Sequence, residues 1–171
     1  MTPTQICERL KQRFGEAITG SLPADKHPRV HTTAEHWRPI AELLRYDQDM
    51  AFDWLSCLTA VDYPANHQLC AVYDLRSTGR GHRFAVKVFV SREQPTIASV
   101  ADLWPAANWH EREAFDLFGI VFDGHPDLRR ILLPDDWEGH PLRKDYVFPR
   151  QYQGVPVMTD DPEQVASGDS D

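Results

Sequence analysis

The chain has 171 residues and a formal net charge of −8, so it is an acidic protein long enough for one domain. The acidic balance argues against nucleic-acid binding as the main role, because such binding depends on basic clusters. No apolar run approaches the roughly 20 residues that a membrane span needs. The charged N-terminus predicts neither a signal peptide nor a membrane anchor.

The first half of the chain predicts two helices and two short strands. Thr4 is a candidate N-cap for a helix over residues 4–14, which Gly15 would end. Short strands are expected over residues 17–22 and 29–33. Apolar residues at helical spacing predict a second helix over residues 35–46, with Thr33 as a candidate cap.

The middle of the chain changes to the alternation typical of strands. Residues 52–61 form an apolar run that fits either a helix end or a strand. Residues 69–77 and 81–91 alternate and predict an antiparallel hairpin. Ser99 is a candidate N-cap for a short helix through Trp104. Pro105 can then begin a helix that ends at Gly119. Together these patterns predict an α+β fold, with a small mixed or antiparallel sheet packed against helices.

The C-terminal part is expected to be an extended, Pro-rich arm. Five prolines exclude long regular elements there: Pro126, Pro134, Pro141, Pro149 and Pro156. We therefore predict a compact α+β domain over residues 1–119 and an extended docking arm over residues 120–158. Residues 159–171 are acidic, small and polar, and are predicted to be disordered.

The helix over residues 105–118 carries one carboxylate on its apolar side. On a helical wheel Glu111 falls among the apolar residues, where a carboxylate is costly unless it is paired. The nearest partners along the chain are Arg129 or Arg130, and such a pair would pin the arm to the helix. Two alternatives are a proton-relay role for Glu111 and a rotation of the helix that exposes Glu111 to solvent. The same wheel places Arg112, Glu113 and Asp116 on the opposite side.

Motifs for cofactors, metals and nucleophiles are missing from the sequence. The three cysteines, Cys7, Cys57 and Cys70, are too few and too scattered for an iron–sulfur cluster or a disulfide framework, and favour a reducing compartment. His125 and His140 each stand between Gly and Pro, which predicts tight turns with imidazole–backbone hydrogen bonds rather than metal ligation. A small free-standing hydrolase using Glu111, Glu113 or His110 is a remote alternative.

Residues 109–146 carry the most distinctive pattern, in which uncommon residues stand at fixed spacing. These residues are Trp109, Glu111-Arg112-Glu113, Asp116, Phe118-Gly119, Gly124-His125-Pro126, Leu128, Arg130-Ile131, Asp136-Trp137, Gly139-His140-Pro141-Leu142-Arg143-Lys144-Asp145 and Tyr146. The pattern resembles the 30 kDa subunit family of NADH:quinone oxidoreductase, or respiratory complex I, whose members are designated C. It covers under a quarter of the chain.

The resemblance implies a non-redox scaffold subunit in the peripheral arm of a proton-translocating complex. The chain would brace the quinone module beside the hydrogenase-like large subunit, which is designated D, and neighbouring iron–sulfur subunits, in a hetero-oligomer without nucleic acid. Iron–sulfur clusters, FMN and quinone would belong to other subunits, so no catalytic centre is expected on this chain. Membrane contact would run through partners only, on the cytoplasmic side of the bacterial cell membrane. The equivalent subunit of a membrane-bound hydrogenase, or of another complex I relative, is the alternative.

The motif match also assigns roles to particular residues. Contact with the partner is expected from Arg129, Arg130, Trp137, His140, Arg143, Lys144, Asp145 and Tyr146. A structural role is expected for Glu111, Arg112, Glu113, Asp116, Gly119 and His125.

Overall fold

The computed structural model describes residues 1–157, which form three α-helices, two short 3₁₀ helices and nine strands within that range. The helices are α1 (Pro3–Phe14), α2 (Ala34–Tyr46) and α3 (Ala107–Phe118). The strands are β1 (Gly20–Leu22), β2 (Arg29–Thr33), β3 (Trp54–Tyr63), β4 (Gln68–Arg76), β5 (Arg83–Ser91), β6 (Thr96–Ala98), β7 (Val121–Asp123), β8 (Gln151–Tyr152) and β9 (Val155–Pro156).

The first five strands form one mixed sheet in the order β1-β2-β5-β4-β3. β2 pairs with β5 in parallel, and the other neighbours are antiparallel. In β2 to β5 nearly all residues on one face are buried and most of those on the other face are not, as expected for a sheet with one covered face. The α+β fold with a mixed sheet is thus confirmed, and so is the hairpin of β4 and β5.

All three helices contribute to a core on the inner face of the sheet. Ile6 of α1, Trp37 of α2 and Ala114 of α3 belong to the same buried cluster as Leu58 and Tyr73 of the sheet. The amphipathic pattern of each helix therefore reflects packing on this face. On the outer face, alternate residues of β3, β4 and β5 are mostly exposed or half-buried. None of the helices within residues 1–157 is long and apolar enough to cross a membrane.

Several helix starts differ from the prediction. Thr2, not Thr4, caps α1: its side chain accepts a hydrogen bond from the Gln5 amide in a capping box, and Pro3 takes the first helical position. Thr33 occupies the N-cap position of α2 but makes no side-chain capping bond. α3 begins at Ala107 instead of Pro105.

One other predicted element is wrong, one is shorter than predicted, and one ambiguity is resolved. Residues 99–104 form a single turn instead of a helix: the Leu103 and Trp104 amides both donate to the Val100 carbonyl oxygen, at 3.0 and 2.9 Å, and the turn is not continued. The strand expected at residues 17–22 starts only at Gly20, after a 3₁₀ turn. The apolar run at residues 52–61 is a strand, β3.

Gly119 ends α3 as predicted, in the left-handed conformation with φ +73°. The following strand β7 pairs in parallel with β6 and returns the chain to the domain. Residues 124–157 form the C-terminal segment. Its regular structure is limited to the two-residue strands β8 and β9. The tail predicted to be disordered, residues 159–171, lies outside the described residues.

Candidate docking surface

Asp116, near the end of α3, binds the C-terminal segment through both carboxylate oxygens. Its Oδ1 accepts a hydrogen bond from Arg130 Nη1 at 2.8 Å. Its Oδ2 accepts three backbone amides, those of Ile131, Leu132 and Leu133, at 2.8–3.0 Å. The Asp116 side chain is fully buried. A single carboxylate therefore fixes the path of four consecutive residues.

The surroundings of Asp116 favour its charged form. Burial alone would raise the pKa of the carboxyl, but the three amides and the Arg130 guanidinium outweigh it and lower the pKa below its ordinary value. The burial of Asp116 does not follow from the helical wheel, which sets it on the side opposite the apolar residues. A helical wheel describes a single helix, so it does not show that an arginine from another part of the chain can stabilise a buried carboxylate.

Three carbonyl oxygens at the end of α3 are capped by the C-terminal segment. The contacts join His140 Nδ1 to Asp116 at 2.9 Å, the Leu142 amide to Leu117 at 3.1 Å and Arg143 Nε to Phe118 at 2.8 Å. Helix C-termini leave such acceptors without an intrahelical partner and favour nearby positive charge. The segment thus replaces water at the end of the helix.

A second anchor joins the segment to the sheet through Arg92. Its Nε lies 2.9 Å from Oδ1 of Asp62, and its Nη2 lies 2.6 Å from Oδ1 of Asp145. Asp62 Oδ2 also accepts the Lys144 amide at 2.8 Å. The Asp62 side chain is fully buried, while that of Asp145 is 64% exposed. Arg92 therefore bridges a buried acid of β3 and an exposed acid of the segment.

Sequence reasoning missed both Asp62 and Arg92. A signal for Asp62 exists, since the alternation of β3 places it in phase with Leu58 and Ala60, which are buried. An acid at such a position requires a cation. Arg92, just after β5, carries no local signal, because its role depends on the pairing of strands.

The expected pair between Glu111 and Arg129 or Arg130 does not form. Glu111 is buried as predicted, but its carboxylate accepts the Ser99 hydroxyl at 2.6 Å and the Val100 amide at 2.8 Å. Glu111 therefore holds the turn before α3 instead of the C-terminal segment. Burial raises its pKa to about 7, although the two hydrogen bonds favour the ionised form.

Arg112 takes the connecting role that is predicted for Glu111. The residue is buried although the helical wheel sets it opposite the apolar residues, and its Nε donates to the Arg129 carbonyl oxygen at 3.3 Å. Its guanidinium carbon lies 4.9 Å from the ring centre of Trp109. Of Arg112, Glu113 and Asp116, which the helical wheel sets on the same side, only Glu113 is exposed.

Both Gly-His-Pro histidines hydrogen-bond to backbone, as predicted. His125 Nδ1 accepts the Asp127 amide at 3.0 Å, and Nε2 lies 3.1 Å from the Asn108 carbonyl oxygen. Nε2 therefore carries the proton. The His140 ring packs directly on Gly119. Burial, followed by Arg143 and Arg130, lowers the pKa of His140, although the Asp116 carbonyl favours its charged form.

Most residues predicted to contact a partner make contacts within this chain. Arg130, His140, Arg143 and Asp145 are parts of the two anchors described above. The Tyr146 hydroxyl donates to the Glu138 carbonyl oxygen at 3.0 Å. Trp137 packs on Tyr152, with ring centres 5.1 Å apart. Arg129 is largely exposed and pairs with Asp127, and Lys144 is exposed. Contact of these residues with a partner stays a prediction.

The surface that the segment presents outward is rich in apolar side chains. Between 41% and 76% of their area is exposed at Leu132, Leu142, Val147, Phe148 and Val155. Trp109 on α3 is 63% exposed. Exposed apolar residues concentrated on one element mark surfaces that other proteins cover. An α+β domain that fixes such a segment by buried polar anchors is typical of a subunit of a larger protein assembly.

Comparison with known proteins defines that class further. The family described as respiratory-chain NADH dehydrogenase, 30 Kd subunit, matches residues 30–152. An NADH-quinone oxidoreductase subunit of Chlorobium phaeobacteroides, the one designated C, is 45% identical over 131 residues, which are 75% of this chain and 79% of that protein. Its counterpart in Chloroherpeton thalassium is 46% identical over 134 residues, 75% of this chain. The match spans 54% of the Chloroherpeton protein, about half its length. This chain belongs to the 30 kDa subunit family of respiratory-chain NADH dehydrogenase.

Solved structures share the fold. The trypsin-resistant fragment (1-134) of Nqo5 is 33% identical, with a TM-score of 0.60, and the match covers 75% of this chain and all of the fragment. A chain of the membrane-bound sulfane sulfur reductase, an archaeal respiratory membrane complex, has a TM-score of 0.71 over 86% of both chains. Its identity of 23% limits that likeness to the fold.

Proposed function

We propose that this chain is the non-redox scaffold subunit of the peripheral arm of an NADH:quinone oxidoreductase, where it braces the quinone module beside the hydrogenase-like large subunit. The observation that carries the proposal is that the C-terminal segment is held through polar groups and exposes several apolar side chains. Arg130, Arg143 and the Lys144 amide bind α3 and β3. Apolar side chains are exposed at Leu132, Leu142, Val147, Phe148 and Val155. Because the chain belongs to the 30 kDa subunit family, the assembly that would cover this segment is an NADH:quinone oxidoreductase.

The energetics support docking through the apolar side chains rather than through the arginines. Fully burying a leucine or phenylalanine side chain contributes about 1.5–3 kcal/mol. Arg130 and Arg143 already donate to groups at the end of α3, so a partner would have to replace those bonds. The segment therefore behaves as a preformed surface, which lowers the entropic cost of binding.

The reaction would belong to the assembled complex. In this proposal the iron–sulfur clusters, FMN and quinone lie on other subunits, and this chain reaches the cytoplasmic side of the membrane through the hydrogenase-like large subunit and neighbouring iron–sulfur subunits. Glu111 is fully buried and engaged by Ser99 and Val100, whereas Glu113 faces solvent. This arrangement does not support the two acids as the catalytic pair of a free-standing hydrolase.

Affinity purification from mildly solubilised native membranes tests the proposal. The tagged chain should carry with it the hydrogenase-like large subunit and the iron–sulfur subunits, identified by mass spectrometry. Recovery with the donor-side proteins of another enzyme would place the chain in a relative of complex I. A chain recovered alone would contradict the scaffold role.

A further inference from the structure

Three exposed side chains form a row across the outer face of the sheet. Arg76 of β4 lies directly opposite Arg83 of β5, and Trp54 of β3 lies directly opposite Arg76. Residues paired in this way point to the same face of a sheet, on strands about 4.8 Å apart. Trp54 is 57% exposed, and both arginines are exposed as well.

The loop between β1 and β2 continues this row. The Pro28 carbonyl oxygen accepts the Ala85 amide at 2.9 Å, two residues after Arg83 along β5. The residues just before Pro28 therefore lie beside Arg83. A cavity of about 610 Å³ opens at this place, and its lining includes Lys26, His27, Ser56, Asp74, Arg76 and Arg83.

Arg76 and Arg83 are an unfavourable pair for the chain on its own. Like charges directly opposite each other destabilise a sheet. Within residues 1–157 neither guanidinium takes part in an ion pair or hydrogen bond, although the chain carries a net charge of −8. The pair does not help to hold this fold, and its positive field faces outward.

The chemistry of the row favours carboxylates on a protein over phosphate groups. The planar guanidinium of arginine binds carboxylates and phosphates alike in a bidentate manner, so the neighbouring groups decide between them. Asp74 lies in the same cavity and opposes any anion there, but it can accept an N–H from a peptide backbone, which a phosphate group does not offer. Trp54 adds a rigid aromatic surface of the kind enriched at protein interfaces.

We propose that Trp54, Arg76 and Arg83, with the adjoining cavity, bind an acidic segment of another protein in the complex. The inference rests on the proposed function, because it takes that segment from a neighbouring subunit. It describes a second surface, since the row lies at the start of β3 while the anchor Asp62 lies near its end. Eight residue steps along a strand span roughly 26 Å.

Site-specific photo-crosslinking tests this surface in the assembled complex. Benzoylphenylalanine replaces Trp54, the membranes are irradiated and the crosslinked peptides are mapped. The expected product joins position 54 to a stretch of another subunit that contains Asp or Glu. A product with a stretch free of acids, or with this chain itself, would overturn the proposal.

The same probe at Leu142 separates this inference from the proposed function. Crosslinks to the hydrogenase-like large subunit from position 142 would support the proposed function. If position 142 crosslinks and position 54 does not, only the second surface is wrong. Failure at position 142 would remove the proposed function on which the second surface rests.

A charge reversal separates binding from folding. In the purified full chain, Arg76→Glu places a negative charge opposite Arg83, so the thermal unfolding midpoint of the variant should rise. In the complex the same change should lower the yield of the position-54 crosslink by about tenfold, because it repels an acidic partner. Arg13→Glu, an exposed arginine of α1, is the matched control and should leave that yield unchanged. An unchanged yield in Arg76→Glu would refute the proposal.

Lipid binding is the competing outcome. Full chain is mixed with vesicles of phosphatidylglycerol and phosphatidylethanolamine, and flotation is measured. Flotation that Arg76→Glu abolishes and Arg13→Glu retains would assign the row to an anionic headgroup and overturn the proposal. Absence of flotation in the wild type supports the assignment to a protein segment.

Discussion

Arg130 and Asp116 form the ion pair that secures the start of the C-terminal segment, with Nη1 2.8 Å from Oδ1. The Arg130 side chain is 17% exposed and that of Asp116 is fully buried. Arg130 Nη2 also donates to the carbonyl oxygens of Trp137 and Gly139 at 3.1 and 3.2 Å. One guanidinium thus joins α3 to two further points of the segment.

Replacing Asp116 by Asn should release the segment from α3. The change removes the charge that pairs with Arg130 and turns one of the two acceptor oxygens into a donor, and we expect a loss of about 2–4 kcal/mol in the free energy of unfolding. Denaturant unfolding measures the loss, and limited proteolysis should show faster cleavage within residues 124–157. Glu113→Gln, an exposed acid of the same helix, should leave both unchanged. Equal cleavage of the two variants would mean that Asp116 is not the anchor.

Acid should loosen the same contact. The pKa of Asp116 in the folded chain lies below its ordinary value, so its contribution to stability is complete above the unfolded pKa of about 4. That contribution is lost as the pH falls through the folded-state pKa. Asp145, whose pKa Arg92 lowers, should act in the same direction. Proteolysis of the segment, followed from pH 7 down to about 3 with an acid-active protease, should accelerate at the acidic end. In Asp116→Asn the acceleration should shrink.

Glu111 predicts the opposite dependence on pH. Its pKa is raised from 4.5 to about 7, so the folded state favours the protonated acid. The corresponding stability is complete below the unfolded pKa and is lost as the pH rises through about 7. Glu111→Gln keeps the shape of the protonated acid and should be more stable than wild type at pH 8, by up to roughly 3 kcal/mol.

The comparison needs melts of both proteins at pH 5 and pH 8. Ionisable neighbours that act on Glu111 are Asp102, Arg38, Tyr73 and His125, and they are unchanged in the variant. If wild type and Glu111→Gln gain or lose stability equally between the two pH values, then Glu111 is not the group that titrates.

Gly119→Ala should disturb the junction between α3 and the segment. The residue has φ +73°, and an added Cβ would lie 2.4 Å from His140 Nε2. Strain of the backbone and the displaced ring should together cost about 2–4 kcal/mol. Gly79→Ala is the matched control, because nothing lies within 4 Å of its Cβ position and its φ is not in the left-handed region. Thermal melting of both variants checks the difference, and a Gly119→Ala midpoint equal to that of the control would contradict it.

Local patterns in the sequence predict much of this fold. The alternation of β4 and β5, the helical spacing of α2 and the stop at Gly119 each depend on neighbours in sequence, and the structure confirms them. Thr4 is wrong as the cap of α1, because Pro3 already occupies the first helical position. The helix predicted at residues 99–104 is wrong because a serine can cap either a helix or a turn.

The site is harder to predict, because its contacts join distant parts of the chain. The sequence shows that Glu111 is buried, but its partners Ser99 and Val100 are set by the packing of a turn against α3. The helical wheel misplaces Asp116, since its burial depends on Arg130 and on amides that only the folded segment brings together. Local periodicity carries no information on such pairs.

The most direct test of the scaffold role measures binding of the purified hydrogenase-like large subunit to variants of this chain. Leu142→Asp with Val147→Asp places charges on the outward side of the C-terminal segment and keeps the backbone bond from Leu142 to α3, and should weaken binding by at least about tenfold. Tyr46→Asp, at a residue 68% exposed at the end of α2, is the control and should bind like wild type. If the double variant binds the large subunit as tightly as the control does, the C-terminal segment is not the docking surface.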